Sequence, residues 1–280
     1  MTKFPSTIVK TISLLSIVLV GCSGNSNSST TPDQIDEGTL KLVVNGEDFV
    51  RNGFVTKDDW QINFERVAVN VGNVMAYQTE STFDPENTEN TENIEYQETV
   101  TILDEAKTVD LTENAEAGEP VAVEQVQAVP GSYNALSWEL IPSNETGLEN
   151  QTIVMQGKAT KDGETVNFNL GFSLPVTYLC GEFVGDMRKG IVKQDAPAEV
   201  EMTLHFDHVF GDAGTPMTEA INQDALGFQP LAELAQAGEL TADWQTLQQQ
   251  LSPENQEILT KAIIGLGHVG EGHCKAEYKQ

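Results

Sequence analysis

Residues 151–174, QTIVMQGKATKDGETVNFNLGFSL, indicate the fold class most directly. Near their centre stands Lys161-Asp162-Gly163, and an Asp-Gly pair accommodates the positive φ angles that a tight hairpin turn requires. The stretches on either side, 151–160 and 164–174, have the length and composition of strands. The segment therefore predicts a β-hairpin.

Strand patterns continue outward from this hairpin in both directions. Trp60, Ile62 and Phe64 alternate with polar residues, and the alternation resumes one position out of phase at Val67, which predicts a bulge near residues 65–66. The remaining candidate strands are Thr39–Val44, Val100–Leu111, Val121–Val129, Leu136–Leu140, Thr177–Val184 and Val200–Phe210. No helical period separates them, so we predict an antiparallel β-sandwich.

The hydrophobic period changes after Gly211. Residues 230–237 and 241–251 have helical spacing, with Thr241 as the expected N-cap of the second helix. A third helix is predicted from Ser252, as its cap, to Gly265. The fold class is therefore mainly β, with a small C-terminal α-helical subdomain. The expected organisation is a signal peptide at 1–21, a tether at 22–37, a sandwich at 38–212, and a helical cap with a Gly/His-rich tail at 213–280.

Composition excludes one class of partner. The chain has 280 residues, with 43 acidic against 15 basic side chains and a formal net charge of −28. A surface this negative repels phosphate backbones, so nucleic acid is not expected as a ligand. Residues 80–98, with almost no apolar side chains, predict a solvated loop.

The N-terminal residues resemble the signal peptide of bacterial lipoproteins. A basic start is followed by a short apolar run that ends in the lipobox-like Leu19-Val20-Gly21-Cys22. The resemblance implies acylation of Cys22, cleavage just before it, and a membrane partner through this lipid anchor. It also implies a cell-envelope location, in the outer membrane or facing the periplasm if the organism is Gram-negative. The alternative is a buried or interfacial N-terminal helix with an unrelated cysteine.

A second resemblance covers five residues. The segment VPGSY at 129–133 is similar to the turn of periplasmic prealbumin-like β-sandwich modules. It implies a Pro-Gly turn that leads into the alternating strand 136–140.

Two cysteines remain once Cys22 is assigned to lipid. Cys180 and Cys274 form an even pair in an exported chain, which favours a disulfide that ties the tail back. Two free buried thiols and a pair of metal-ligating thiolates are the alternatives.

All four histidines lie in the last third of the chain. If strands 177–184 and 200–210 were neighbours, Cys180 would face Leu204 or His205. The disulfide would then bring His273 beside that strand, with His268 in reach through the Gly-rich turn. Neutral imidazole binds zinc and copper well, so we predict a transition-metal site with zinc or copper as the ion.

Strand geometry constrains which residues can share this ion. Along a regular strand His205 and Asp207 lie on one face and His208 on the other, so the two histidines can bind one ion only if the strand breaks between them. His205 with Asp207 fits better, as two ligands or as a ligand and its orienting carboxylate. An edge imidazole bonded to backbone is the alternative for His208. The predicted ligands are His205, Asp207, His208, His268 and His273.

Motifs for catalysis are missing from the sequence. It lacks Gly-x-Ser-x-Gly, His-Glu-x-x-His and Gly-x-x-x-x-Gly-Lys. The acid pairs Asp58 with Asp59 and Glu182 with Asp186 are expected by chance among 43 acidic residues. We therefore predict a membrane-anchored, non-catalytic extracytoplasmic lipoprotein that binds a transition metal and has an unidentified envelope partner.

One alternative function requires no metal. It is a structural or adhesive surface lipoprotein that recognises a macromolecule or glycan. An exposed aromatic patch, for example around Trp60 or Trp244, would favour it.

Overall fold

The computed structural model describes residues 37–85, 94–113, 119–181, 190–194 and 196–278. The predicted signal peptide, Cys22 and the tether up to residue 36 lie outside the described residues, as do residues 86–93 of the predicted loop. Residues Asp36–Gln280 form one compact unit. Among the described helices, none has both the length and the apolar character that crossing a membrane requires.

The described residues form seventeen strands and six short helices. The strands are β1 (Gly38–Asn45), β2 (Phe54–Val55), β3 (Gln61–Thr79), β4 (Tyr96–Leu103), β5 (Lys107–Asp110), β6 (Val121–Ala128), β7 (Gly131–Ser132), β8 (Ala135–Leu140), β9 (Ile153–Lys161), β10 (Glu164–Phe172), β11 (Val176–Cys180), β12 (Ile191–Val192), β13 (Ala198–Leu204), β14 (Glu239–Asp243), β15 (Gly267–Val269), β16 (Gly272–His273) and β17 (Lys275–Tyr278). The helices are α1 (Glu47–Asn52), α2 (Asp207–Phe210), α3 (Ala220–Gln223), α4 (Gln229–Ala232), α5 (Trp244–Gln250) and α6 (Pro253–Ile264).

Two large sheets confirm the mainly-β, sandwich-like prediction. The five-strand sheet has the order β16-β15-β13-β1-β6. The ten-strand sheet has the order β14-β10-β9-β3-β8-β11-β17, and β2, β4 and β5 also pair with β3. The sheets are mixed, because β1 runs parallel to β13 and β10 runs parallel to β14, whereas the other named strand pairs are antiparallel. Buried side chains from both sheets belong to one hydrophobic core.

The structure confirms the local strand predictions at the hairpin and at the bulge. Asp162 and Gly163 have φ angles of 49° and 86°, and β9 pairs with β10 directly across this turn. In β3 the register with β9 shifts between Phe64 and Arg66, which leaves Glu65 as the extra residue. The bulge lets one 19-residue strand bury Ile62 and Val67 on either side of the phase change.

The C-terminal segment is less helical than the sequence pattern predicts. Helix α6 is confirmed, with Ser252 Oγ accepting from the Asn255 backbone N–H at 3.2 Å. The expected cap at Thr241 is wrong, since Thr241 lies in β14 beside β10, and Asp243 caps α5 instead. Of the predicted 230–237 helix, only the start lies in a helix, the four-residue α4.

The chain end passes from one sheet to the other at Cys274. Strand β16 belongs to the five-strand sheet and β17 to the ten-strand sheet, so Cys274 lies at the crossover between them. The predicted Cys180–Cys274 disulfide is confirmed, with the two Cα atoms 4.4 Å apart. It fastens the crossover to the end of β11, and both cysteines are buried.

The predicted pairing of 177–184 with 200–210 is wrong. Strand β11 pairs with β8 and β17, whereas β13 pairs with β1 and β15 in the other sheet. The sheets meet through packing at this point, because Gly267 of β15 lies against the ring of Tyr178 of β11. A Cβ atom at Gly267 would come within 2.5 Å of that ring.

Candidate metal centre

Strand β13 ends six residues earlier than the sequence pattern predicts. It stops at Leu204, and the backbone N–H of His205 then donates to Leu266 O at 3.1 Å. The next hydrogen bond, from His208 N to His205 O at 3.1 Å, is a turn contact that leads into α2. The strand therefore does not continue from His205 to His208, so the strand alternation that would separate the two side chains does not apply.

Burial of three apolar side chains explains the break. Phe206, Val209 and Phe210 are each fully buried, and their spacing is that of one helical face and not of a strand face. The rings of Phe206 and Phe210 lie 6.4 and 6.3 Å from that of Phe64. These three side chains belong to the hydrophobic core, whereas His205 and His208 lie outside that apolar cluster.

The turn brings together three of the predicted ligands. Potential ligand atoms of His205, Asp207 and His208 all lie within 4.8 Å of one another. His205 and Asp207 are buried and His208 is half-buried. Two imidazoles and a carboxylate form a donor set that suits zinc or copper.

A short hairpin places the other two histidines beside this triad. In the pairing of β13 with β15 His268 faces Thr203, and in the pairing of β15 with β16 it faces His273. The hairpin turn needs a positive φ, and Gly270 provides it at 56°. The Gly270 backbone N–H donates to Thr203 Oγ1 at 3.1 Å, which fastens the turn to β13.

The five residues His205, Asp207, His208, His268 and His273 are here called the histidine corner. The His205 and His208 ring centres are 5.2 Å apart, and His268 lies 4.3 Å from the first and 5.1 Å from the second. The ring of His273 lies 4.9 Å from that of His268. Imidazoles bound to one tetrahedral zinc have ring centres roughly 5 Å apart, given Zn–N bonds of about 2.0–2.1 Å. The spacing of His205 and His208 therefore matches that of imidazoles around a common ion, whereas His268 and His273 lie outside the group whose ligand atoms are within 4.8 Å of one another.

Glu47 adds a carboxylate that sequence reasoning missed. It begins α1, far from the histidines in sequence, and its Oε2 lies 3.9 Å from His205 Nδ1. On the opposite side of the ring, His205 Nε2 lies 3.3 Å from the carbonyl of Gly270. A ring that donates to this carbonyl from Nε2 presents the Nδ1 lone pair to an ion. The parallel pairing of β1 with β13 places Asn45 opposite Thr203 and so brings the following Glu47 near His205, and no sequence motif indicates this.

Two buried polar atoms of the corner have no hydrogen-bond partner among the described residues. They are Asp207 Oδ1 and His268 Nδ1, on side chains only 6% and 4% exposed. Buried polar groups are nearly always satisfied, and an orphan costs free energy unless a ligand or ion completes it. Both orphans are metal-ligating atoms.

Burial and the neighbouring imidazoles keep His268 and His208 neutral. The pKa of His268 is lowered to about 3, first by burial and then by the neighbouring His205, His208 and His273. Burial also lowers the pKa of His208, although Asp207 partly offsets this. Neutral imidazole is the form that binds metal, so both rings are available as ligands at neutral pH.

Carboxylates make the surroundings of His205 favourable for a cation. Burial raises the pKa of Glu47, and the nearby Asp207, Glu271 and Glu201 raise it further, against the opposing effect of His205. Burial is the largest cause, and the smaller contributions of Asp207, Glu271 and Glu201 show that three further carboxylates lie near Glu47. A bound cation would relieve their repulsion.

The other candidate residues take different roles. Trp60 and Trp244 are 1% and 7% exposed, so they form no surface aromatic patch. The Asp58 carboxylate accepts hydrogen bonds from the backbone N–H groups of Phe228 and Gln229 and so joins two distant segments of the chain. Glu182 and Asp186 lie outside the described residues.

Comparisons with known protein families, curated proteins and solved structures found no match for this chain.

Proposed function

We propose that this protein is a lipid-anchored, non-catalytic cell-envelope protein that binds one zinc or copper ion at the histidine corner. The observation that carries the proposal is the convergence of His205, Asp207 and His208, with ligand atoms within 4.8 Å of one another. His268, Glu47 and His273 surround this triad and are available as a fourth ligand or as groups that orient the first three.

Two further observations support a metal ion over a purely structural cluster. A structural cluster of buried imidazoles would be expected to hydrogen bond its nitrogens internally, yet His268 Nδ1 and Asp207 Oδ1 have no partner in the described part of the chain. The net charge of −28 also favours the approach of cations over that of anions.

Metal titration of the full-length protein, purified in detergent without a His tag, tests the proposal. We expect one zinc or copper(II) ion per chain by calorimetry. The double variant His205→Gln/His208→Gln should lose affinity by about 100-fold or more, because it removes two of the three closest ligands. Wild-type affinity in this double variant would overturn the metal site.

A pair of isosteric variants separates ligation from general charge. Asp207→Asn should weaken binding by about tenfold or more, because an amide oxygen is a poorer ligand than a carboxylate. Asp162→Asn removes the same charge at the exposed hairpin turn, where Asn tolerates the positive φ, and should leave affinity unchanged. Equal losses in the two variants would indicate diffuse electrostatic attraction and not a site.

The lipid anchor is a separate part of the proposal and needs its own test. The resemblance of residues 19–22 to a lipobox supports acylation at Cys22, with residues 22–37 as a polar tether. In a bacterial host, palmitate label should be incorporated into the wild type and be lost in Cys22→Ala. Cys180→Ala is the matched cysteine control and should retain the label. Incorporation of label into Cys22→Ala would overturn the proposed lipid anchor and would leave the proposed metal site unaffected.

A further inference from the structure

A cavity of about 530 Å³ opens beside the histidine corner. Its wall includes His208, His268 and His273, so the cavity and the proposed metal site share His208. The volume lies within the range of small-molecule pockets. A ligand seated in this cavity would therefore contact the imidazoles directly.

Two helices supply the apolar walls of the cavity. Helix α3 contributes Ala220 and Ile221, and α6 contributes Ile258 and Ala262. Ile258 and Ile221 are half-buried although they face open space, and no described segment covers them. An apolar ligand body would bury this surface.

Charge at the cavity is balanced. Lys261 and Asp224 line it with opposite signs, and the Lys261 ammonium is held by Glu257 of the same helix at 2.8 Å. The lining has one charged side chain of each sign, so neither sign predominates. The lining therefore favours an uncharged ligand, whose specificity comes from the imidazole wall.

The orphaned nitrogen of His268 points to a ligand independently of the cavity's shape. His268 is 4% exposed, lines the cavity and has no hydrogen-bond partner at Nδ1 among the described residues. A ligand or a metal with a ligand attached would satisfy this atom.

We propose that the cavity binds a small, neutral nitrogen heterocycle with an apolar body, whose ring nitrogen completes the coordination of the ion at the histidine corner. This inference rests on the proposed metal site, because the ion is the group that the heterocycle recognises. In this proposal His205, Asp207 and His208 are the three protein ligands, and the heterocycle takes the fourth position of a tetrahedral ion; His208 belongs both to this triad and to the cavity wall. The apolar body then packs between α3 and α6.

Cobalt(II) spectroscopy tests both proposals in one experiment. Cobalt(II) added to the full-length, metal-free protein should give visible absorption bands of a four-coordinate site. Addition of 4-phenylimidazole should then shift these bands with an affinity at least tenfold higher than that of imidazole, because only the first has an apolar body to bury. Phenylacetate, an anion of similar size, should bind at least tenfold more weakly than 4-phenylimidazole.

The outcomes distinguish failure of the ion site from failure of the cavity. Absence of cobalt bands would overturn the proposed function and this inference together. Bands that respond equally to imidazole and 4-phenylimidazole would overturn this inference alone. A preference for phenylacetate would also overturn it, since the cavity would then select anions.

Filling the cavity gives a second, independent readout. Ile221→Trp should abolish the preference for 4-phenylimidazole while leaving cobalt binding and imidazole affinity within about twofold of wild type. Ile258→Trp fills the cavity from the opposite wall, and it is the variant to use if Ile221→Trp does not fold. Glu254→Trp adds the same side chain at an exposed position of α6 outside the cavity lining and should retain the preference. An unchanged preference in both filled variants would overturn the inference.

Discussion

Two polar clusters join distant parts of this chain, and they differ in how their polar atoms are satisfied. At the first, here called the Asp58 junction, the Asp58 carboxylate accepts from Thr56 Oγ1 at 2.5 Å and from the backbone N–H groups of Phe228 and Gln229 at 3.1 and 2.7 Å. At the histidine corner, Asp207 Oδ1 and His268 Nδ1 accept from no described group.

The difference indicates that the Asp58 junction is structural, whereas the histidine corner has atoms available to bind a ligand. The Asp58 junction ties residues 56–60 to the start of α4, and Trp60 Nε1 reinforces it by donating to Gln229 Oε1 at 3.0 Å. Each of these contacts of the Asp58 carboxylate serves the fold. The histidine corner has similar tertiary links, but Asp207 Oδ1 and His268 Nδ1 have no partner among the described residues, which is expected of a site whose last partner is a ligand or an ion.

The largest effect is expected from cutting the covalent link behind the histidine corner. Cys180→Ala/Cys274→Ala removes a disulfide that spans 94 positions of sequence, and the chain-entropy estimate for a loop of that size is roughly 4 to 5 kcal/mol. Denaturant unfolding should show this loss. The Asp58 junction holds Phe228 and Gln229, which lie within this loop, to Asp58 by hydrogen bonds that do not depend on the disulfide, so its contribution should persist in the reduced protein.

Metal affinity should fall in the same variant, because β16 and His273 are then held only by strand pairing. A stability loss below about 1 kcal/mol, with unchanged metal affinity, would show that the crossover is held without the disulfide.

The next largest effect is expected at the Asp58 junction. Asp58→Asn replaces one carboxylate oxygen by an N–H donor that faces backbone donors, so we expect about 2 to 3 kcal/mol of destabilisation. Asp59→Asn is the matched control, since Asp59 is an exposed neighbour whose positive φ of 68° Asn accepts. Metal affinity should stay at the wild-type value in both. A change in metal affinity in Asp58→Asn would contradict the division of roles.

Sequence patterns predicted local structure better than they predicted contacts between strands. The Asp162-Gly163 hairpin, the Glu65 bulge, α6 and the disulfide depend on neighbouring residues or on cysteine pairing, and all are confirmed. Two parallel pairs and the separation of β11 from β13 into different sheets are set by long-range packing, which alternation does not encode.

The candidate site followed the same division. Its histidines and Asp207 were predicted, because imidazole chemistry is visible in sequence. From the sequence, His205 and His208 could bind one ion only if the strand broke between them, but the break itself was not predicted. The helical spacing of Phe206, Val209 and Phe210 is the signal that would have revealed the break, and it was outweighed by strand alternation through Phe206. Glu47 carries no such signal.

A smaller effect is expected from pH in the metal-free protein. The pKa of His268 is about 3 in the folded state against 6.5 for an ordinary histidine, so the unfolded chain takes up the proton first. Stability from this group is complete above pH 6.5 and declines as pH falls toward 3. Between pH 7.5 and pH 5 we expect a loss of about 2 kcal/mol from His268, measured by denaturant unfolding.

Neighbouring groups set the size of this pH effect, and variants separate them. His208, with its own lowered pKa, adds to the decline, whereas Glu47, with a raised pKa, opposes it at lower pH. His205, His273 and Asp207 also face His268 or its neighbours. His268→Leu should show a clearly smaller decline than wild type. Equal declines would show that His268 is not buried as a neutral ring.

The smallest effect on stability is expected for His268→Leu at pH 7.5 without metal. The sign of this effect distinguishes a structural ring from a ligand-binding one. Leu replaces a buried ring whose Nδ1 is unpartnered, so we expect unchanged stability or a gain of up to about 1 kcal/mol. Zinc or copper affinity should fall in the same variant by about tenfold or more. Asp58→Asn shows the reverse pattern, with stability lost and metal affinity kept. If His268→Leu instead lost 2 kcal/mol or more without metal, its ring would be a structural element, and the contrast between the two clusters would disappear.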